Sequence, residues 1–91
     1  MSKAETSVTI KHSYGLHLRA AGTLAQKASS FESEITLTMN SLTANAKSIM
    51  SVLALAAPKG ATLTIAAEGN DSEAAVSSLK ALIDNDFGLG N

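Results

Sequence analysis

The chain has no cysteine, no tryptophan and a single proline, and only three aromatic residues: Tyr14, Phe31 and Phe87. Without thiols there are no disulfides and no thiolate-held metals. With so few aromatic rings, the core has to be built from Ala, Leu, Ile, Val and Met. An excess of positive charge is also missing. Lys and Arg total 7 against 8 for Asp and Glu, a net charge of −1. Nonspecific binding to nucleic acid needs several uncompensated cations, so that class is set aside. The opening "MSKAETSVTIKH" has no long apolar run, so neither a signal peptide nor a membrane span is expected, and a cytoplasmic location is the default. There is no repeat, linker or low-complexity tract. What remains is 91 residues, 45% apolar and 16% charged, which suits one globular domain over 1–91. A chain this size buries roughly 60–65% of its unfolded surface, enough for one modest core.

The apolar periodicity sets the elements. Val8 and Ile10 alternate with Thr9 and Lys11, a half-buried strand. Residues 12–15 read as a loop. From Leu18 the period lengthens: Leu18, Ala21, Leu24, Ala25, Ala28 and Phe31 form a stripe, predicting a helix over 17–30. Ile35, Leu37 and Met39 alternate with threonines, and a turn at Asn40–Ser41 leads to a partner strand over 42–46. "KSIMSVLALAA" predicts a helix over 48–57, ended by Pro58 and Gly60. Leu63, Ile65 and Ala67 mark a further strand. Val76, Leu79, Leu82 and Ile83 stripe a last helix over 71–85, with Asn70 or Asp71 as its cap. The glycines of "FGLGN" suggest a fraying end. The order β-α-β-β-α-β-α, with strands apolar on one face, predicts an α+β fold: a mostly antiparallel sheet with helices on its apolar side and a wet, Thr-rich opposite face.

One place breaks the rules of stability. His17 and Arg19 stand at the mouth of the first helix. Cations are unfavourable at the positive end of a helix, where Asp or Glu would stabilise. The same end offers unpaired N–H groups that hold a phosphate, and a guanidinium adds directed donors. An unprotonated imidazole there is a nucleophile. A surface histidine capping a helix beside a solvated arginine would use the same two residues. His12 reads as a half-exposed residue at the strand end. It is not paired with His17 as a metal site, because no third ligand is visible, and no cofactor is expected.

"GLHLRAA", residues 15–21, resembles the active-site motif of the histidine-containing phosphocarrier protein (HPr) family of the bacterial phosphoenolpyruvate-dependent phosphotransferase system. "AKSIMSVLALAAPKGATLTI", residues 46–65, resembles that family's second signature, and the likeness spans about 5–87. The resemblance implies an open-faced β-sandwich, four strands under three helices. It implies that His17 is phosphorylated on Nδ1, with Arg19 and the backbone amides of Leu18 and Arg19 holding the phosphoryl group. Enzyme I would be the donor and a IIA protein the acceptor. The chain would be a monomeric carrier rather than an independent catalyst. The family's usual proline after the arginine is Ala20 here, as in some members, including ones of the nitrogen-related branch. Leu18 stands where a small residue is usual.

The resemblance also points to Ser48, the counterpart of the serine modified by an HPr kinase/phosphorylase. Apart from that role, Ser48 reads as a helix cap. If Val52 and Leu55 face the sheet, Ile49, Met50 and Leu53 cannot all be buried, and they become a candidate docking patch with Lys27 and Lys47 on its rim. A second reading is therefore a regulatory binding module whose docking is tuned by modification at His17 or Ser48.

Overall fold

The structure, a computed structural model, describes residues 2–89. Four strands, β1 (Lys3–Thr9), β2 (Glu34–Met39), β3 (Leu42–Asn45) and β4 (Thr62–Glu68), alternate with three helices, α1 (Leu18–Ala28), α2 (Ile49–Ala54) and α3 (Ser72–Asp84). A 3-10 turn, Asp86–Gly88, follows. The strands form one sheet in the order β1-β4-β2-β3, antiparallel throughout. This is the expected α+β open-faced sandwich. Among the described residues, no helix is long and apolar enough to cross a membrane.

Alternation explains the two faces. Val8, Ile35, Leu37, Ala44, Leu63 and Ile65 point inward and are buried. Leu24 of α1, Val52 of α2, and Leu79 and Ile83 of α3 meet them and are fully buried. Each such side chain contributes about 1.5–3 kcal/mol of hydrophobic stabilisation. The outward face carries Thr36, Thr38, Thr62 and Thr64, with cross-strand hydroxyl contacts such as Thr38–Thr43 at 3.3 Å. The β2–β3 hairpin turns through Asn40, whose φ of 56° lies in the left-handed region that asparagine tolerates.

Four expectations need correction. Leu18 is 65% exposed rather than part of the buried stripe. It lies about 120° around the helix from Leu24 at 3.6 residues per turn, and Leu16 fills the core at that end instead. The second helix ends early, at Ala54, because Ala56 takes a left-handed φ of 51° and turns the chain out of the helix. Asp71 stands at the start of α3 but makes no side-chain cap. Its carboxylate instead accepts from the N–H groups of Glu32 (2.8 Å) and Ser33 (2.9 Å) and from the Ser33 hydroxyl, tying α3 to the segment that enters β2. These bonds, the Ser33 hydroxyl first, hold its carboxyl below the ordinary range. The chain end does not fray as far as it is described: Phe87 is buried, although its φ is +59°. Gly90 and Asn91, also part of the expected frayed end, lie outside the described residues.

Candidate functional site

The loop between β1 and α1 is built by backbone bonds to the loop after α2. Ile10 N–H donates to the Ala61 carbonyl and Leu16 N–H to the Ala57 carbonyl, both at 2.8 Å. Gly15 sits between, at φ +64°. A Cβ there would lie 2.5 Å from the Ala57 oxygen and 2.9 Å from Pro58 Cα, so only glycine lets the two loops close.

His17 is the N-cap of α1. Its backbone is extended, its carbonyl accepts the Ala21 N–H at 2.8 Å, and its Nδ1 accepts the Ala20 N–H at 3.4 Å. The ring is half-buried. Nδ1 therefore faces the opening turn of the helix, where the amides of Leu18 and Arg19 have no partner within the helix. The first turn holds no acidic side chain. Arg19 is exposed, and among the described residues its guanidinium makes no hydrogen bond or ion pair. Ala20 is buried against the core and keeps the N–H that a proline would lack. His17 Nδ1 and the opening amides thus share one corner, with the exposed Arg19 in the same first turn of α1, a set of groups whose chemistry suits a tetrahedral anion.

Ser48 caps α2, its Oγ accepting the Ser51 N–H at 3.2 Å. Lys47, just ahead of α2, donates through Nζ to the Phe31 carbonyl beyond the end of α1 at 2.7 Å. Lys47 is therefore tied to the fold rather than standing free on a rim. This contact and the Leu16–Ala57 bond at the opposite ends set α2 antiparallel beside α1. Ile49 and Met50 are exposed, Met50 at 73%, whereas Leu53 packs partly on the core. Among the described residues the large exposed apolar side chains are Tyr14 and Leu18 on either side of His17 in sequence, Ile49 and Met50 in the first turn of α2, and Leu42 at the start of β3. Lys27 is exposed in the last turn of α1.

Two residues escaped the sequence reading. Tyr14 is 80% exposed, and its ring centroid lies 6.3 Å from that of His17. His12, expected to be half-exposed, is only 4% exposed, with its ring 5.0 Å from His17. The signal was present: Val8, Ile10 and His12 continue one period-2 series, so His12 points inward with them. The described residues contain no group of three or more metal-type ligands. A shallow depression of about 480 Å³ lies elsewhere, on the open sheet face among Lys3, Glu5, Glu34, Thr36 and Glu68.

Residues 4–85 match the family described as the PTS HPr component phosphorylation site. The chain is 41% identical to phosphocarrier protein NPr of Shewanella violacea, over 96% of either chain. It is 44% identical to phosphocarrier protein HPr of Mycoplasma capricolum, over 85% of this chain and 86% of that one. A crystal structure of HPr from Thermoanaerobacter tengcongensis superposes with a TM-score of 0.91 at 38% identity, covering 97% of this chain and 99% of that one.

Proposed function

The chain belongs to the HPr family of phosphocarriers of the phosphotransferase system, and from that premise we propose that His17 accepts a phosphoryl group from Enzyme I and passes it to a IIA protein. The observation that carries this reading is the placement of His17 Nδ1 against the opening turn of α1, in which Arg19 is exposed with its guanidinium uncommitted among the described residues. An Nδ1 that accepts a hydrogen bond holds a lone pair and no proton. That lone pair attacks phosphorus, the bond from phosphorus to the donor breaks, and its electron pair leaves with the donor. The Ala20 N–H, freed from Nδ1, and the amides of Leu18 and Arg19 then face the phosphoryl oxygens. The Arg19 guanidinium adds charge-assisted donors where negative charge has moved. Transfer to the IIA protein is the same step reversed in direction.

All these groups come from one chain, which supports a monomeric carrier. Leu18, Tyr14, Ile49 and Met50 supply apolar area for brief docking on either side. Relatives named HPr and NPr match at similar identity, so the proposal concerns the chemistry the two share. A module that only docked would need neither a nucleophilic nitrogen at the helix mouth nor a free guanidinium, and transfer is the better account of both.

The test is incubation with phosphoenolpyruvate, magnesium and Enzyme I, followed by intact mass. One phosphoryl group should be gained, lost in mild acid and absent from His17→Ala. An acid-labile phosphoryl group retained in His17→Ala would move the site elsewhere. A wild type that gains none, even with Enzyme I of its own host, would leave docking as the function.

A further inference from the structure

The bond from the Ala20 N–H to His17 Nδ1 is long, at 3.4 Å, and cannot by itself fix the imidazole plane. A ring that must meet phosphorus in line needs a second restraint. Two rings flank it. Tyr14 is 80% exposed, and its ring itself leans on that of His12, centroids 6.0 Å apart. His12 is 4% exposed, and its centroid is 5.0 Å from that of His17, with the planes inclined by 59°. Phe87 packs behind His12, centroids 6.4 Å apart and edge-on. His12 is also held at its polar atoms. Its Nδ1 accepts the Tyr14 N–H at 3.2 Å and its carbonyl accepts the Gly15 N–H at 3.0 Å. An accepting Nδ1 carries no proton, so a neutral His12 is the Nε2–H tautomer. The ring is fixed before any partner arrives.

We propose that His12 is a positioning residue for phosphoryl exchange: its buried ring, backed by Phe87, is the wall that holds the His17 imidazole with Nδ1 toward the opening amides of α1. This rests on the carrier reading above. His12 has a second, purely structural task, the turn over 12–15, and the two tasks use different parts of the side chain. The turn uses Nδ1 as an acceptor, whereas the wall uses the ring.

Two substitutions separate them. His12→Asn keeps an acceptor for the N–H two residues on, as asparagine does in its own turns, and removes the ring. His12→Phe keeps a flat ring and removes the acceptor. Losing one aromatic contact of this kind slows a step that depends on it by about 2- to 10-fold. Phosphoryl transfer from Enzyme I should therefore fall by about that factor in kcat for His12→Asn, with KM for this protein close to the wild type, while both variants melt lower, His12→Asn through lost packing on Phe87 and His12→Phe through the lost acceptor. His12→Phe should keep kcat near the wild type. A ring-orientation readout accompanies the rates: nuclear Overhauser contacts between the two imidazoles in the wild type, and a His17 side-chain torsion that is single in the wild type and averaged in His12→Asn. Wild-type rates in His12→Asn, or rates that follow melting temperature in both variants, would make His12 structural only. Should His12→Asn not fold, absent contacts between the imidazoles in the wild type would overturn the proposal. A wild type that takes no phosphoryl group would instead withdraw the carrier reading, and this inference with it.

Discussion

Gly15→Ala tests how the fold delivers His17, and the three glycines at 15, 22 and 60 form a matched set. At Gly15 the new Cβ meets the Ala57 oxygen at 2.5 Å and Pro58 Cα at 2.9 Å, both backbone atoms, and φ is +64°. A left-handed alanine costs about 1–2 kcal/mol. Moving the two loops apart strains the Leu16–Ala57 bond, worth about 0.5–1.5 kcal/mol net, and leaves those groups poorly paired. The total is about 2–4 kcal/mol. For a domain this size that lowers the melting temperature by about 8–32 °C, at 4–8 °C per kcal/mol. At Gly60 φ is +92° and no atom lies within 4 Å of the added Cβ, so only the backbone strain, about 1–2 kcal/mol, applies. At Gly22, inside α1, nothing lies within 4 Å and the φ is helical, so alanine should stabilise by about 0.5–1 kcal/mol. The reduced freedom of the unfolded chain is common to all three and cancels in the comparison. Thermal melts should rank Gly22→Ala above the wild type, then Gly60→Ala, then Gly15→Ala. Equal losses at 15 and 60 would refute the argument that the loop contact, rather than φ alone, demands glycine at 15.

Three further outcomes follow from the same geometry. Ser48→Ala removes the acceptor for the Ser51 N–H and should cost about 1 kcal/mol in urea unfolding, with His17 phosphorylation intact. Leu18→Asp combined with Met50→Asp should leave the melting temperature nearly unchanged, because both positions are exposed, while raising KM for Enzyme I by about tenfold; an unchanged KM would remove these residues from the docking surface. Asp71 is held below its ordinary value of 3.8 by the Ser33 hydroxyl and the Glu32 and Ser33 N–H groups. A carboxylate depressed on folding stabilises the fold above its unfolded value, and that stability fades as pH falls through its folded value. Urea midpoints should therefore drop below about pH 4 in the wild type, and Asp71→Asn should be less stable at neutral pH with a flatter acid limb.

Much of this was legible in the residues because the signals were local. The alternation of Ile35, Leu37 and Met39 set β2 and its inward face, and Ser48 was visible as a cap. His17 and Arg19 stood out because cations at a helix mouth conflict with the helix dipole. The rest depended on partners far along the chain. Asp71 looked like a cap for its own helix, yet its carboxylate reaches the Glu32 and Ser33 amides, 39 and 38 residues away. Lys47 looked like a surface cation until the end of α1 supplied a carbonyl. The length of α2 could not be read from composition, because Ala56 takes a left-handed φ that alanine does not advertise. His12 was the avoidable error: it continues the inward series of Val8 and Ile10 and comes to rest beside His17.

The central claim is that Nδ1 of His17, the atom that faces the helix mouth, carries the phosphoryl group. Phosphorus and nitrogen NMR of the protein charged by Enzyme I and phosphoenolpyruvate tests it most directly. The account predicts one acid-labile phosphohistidine resonance, coupled to Nδ1 of His17, with the Leu18, Arg19 and Ala20 amide signals displaced on charging. Attachment through Nε2, or to any other residue, would contradict it.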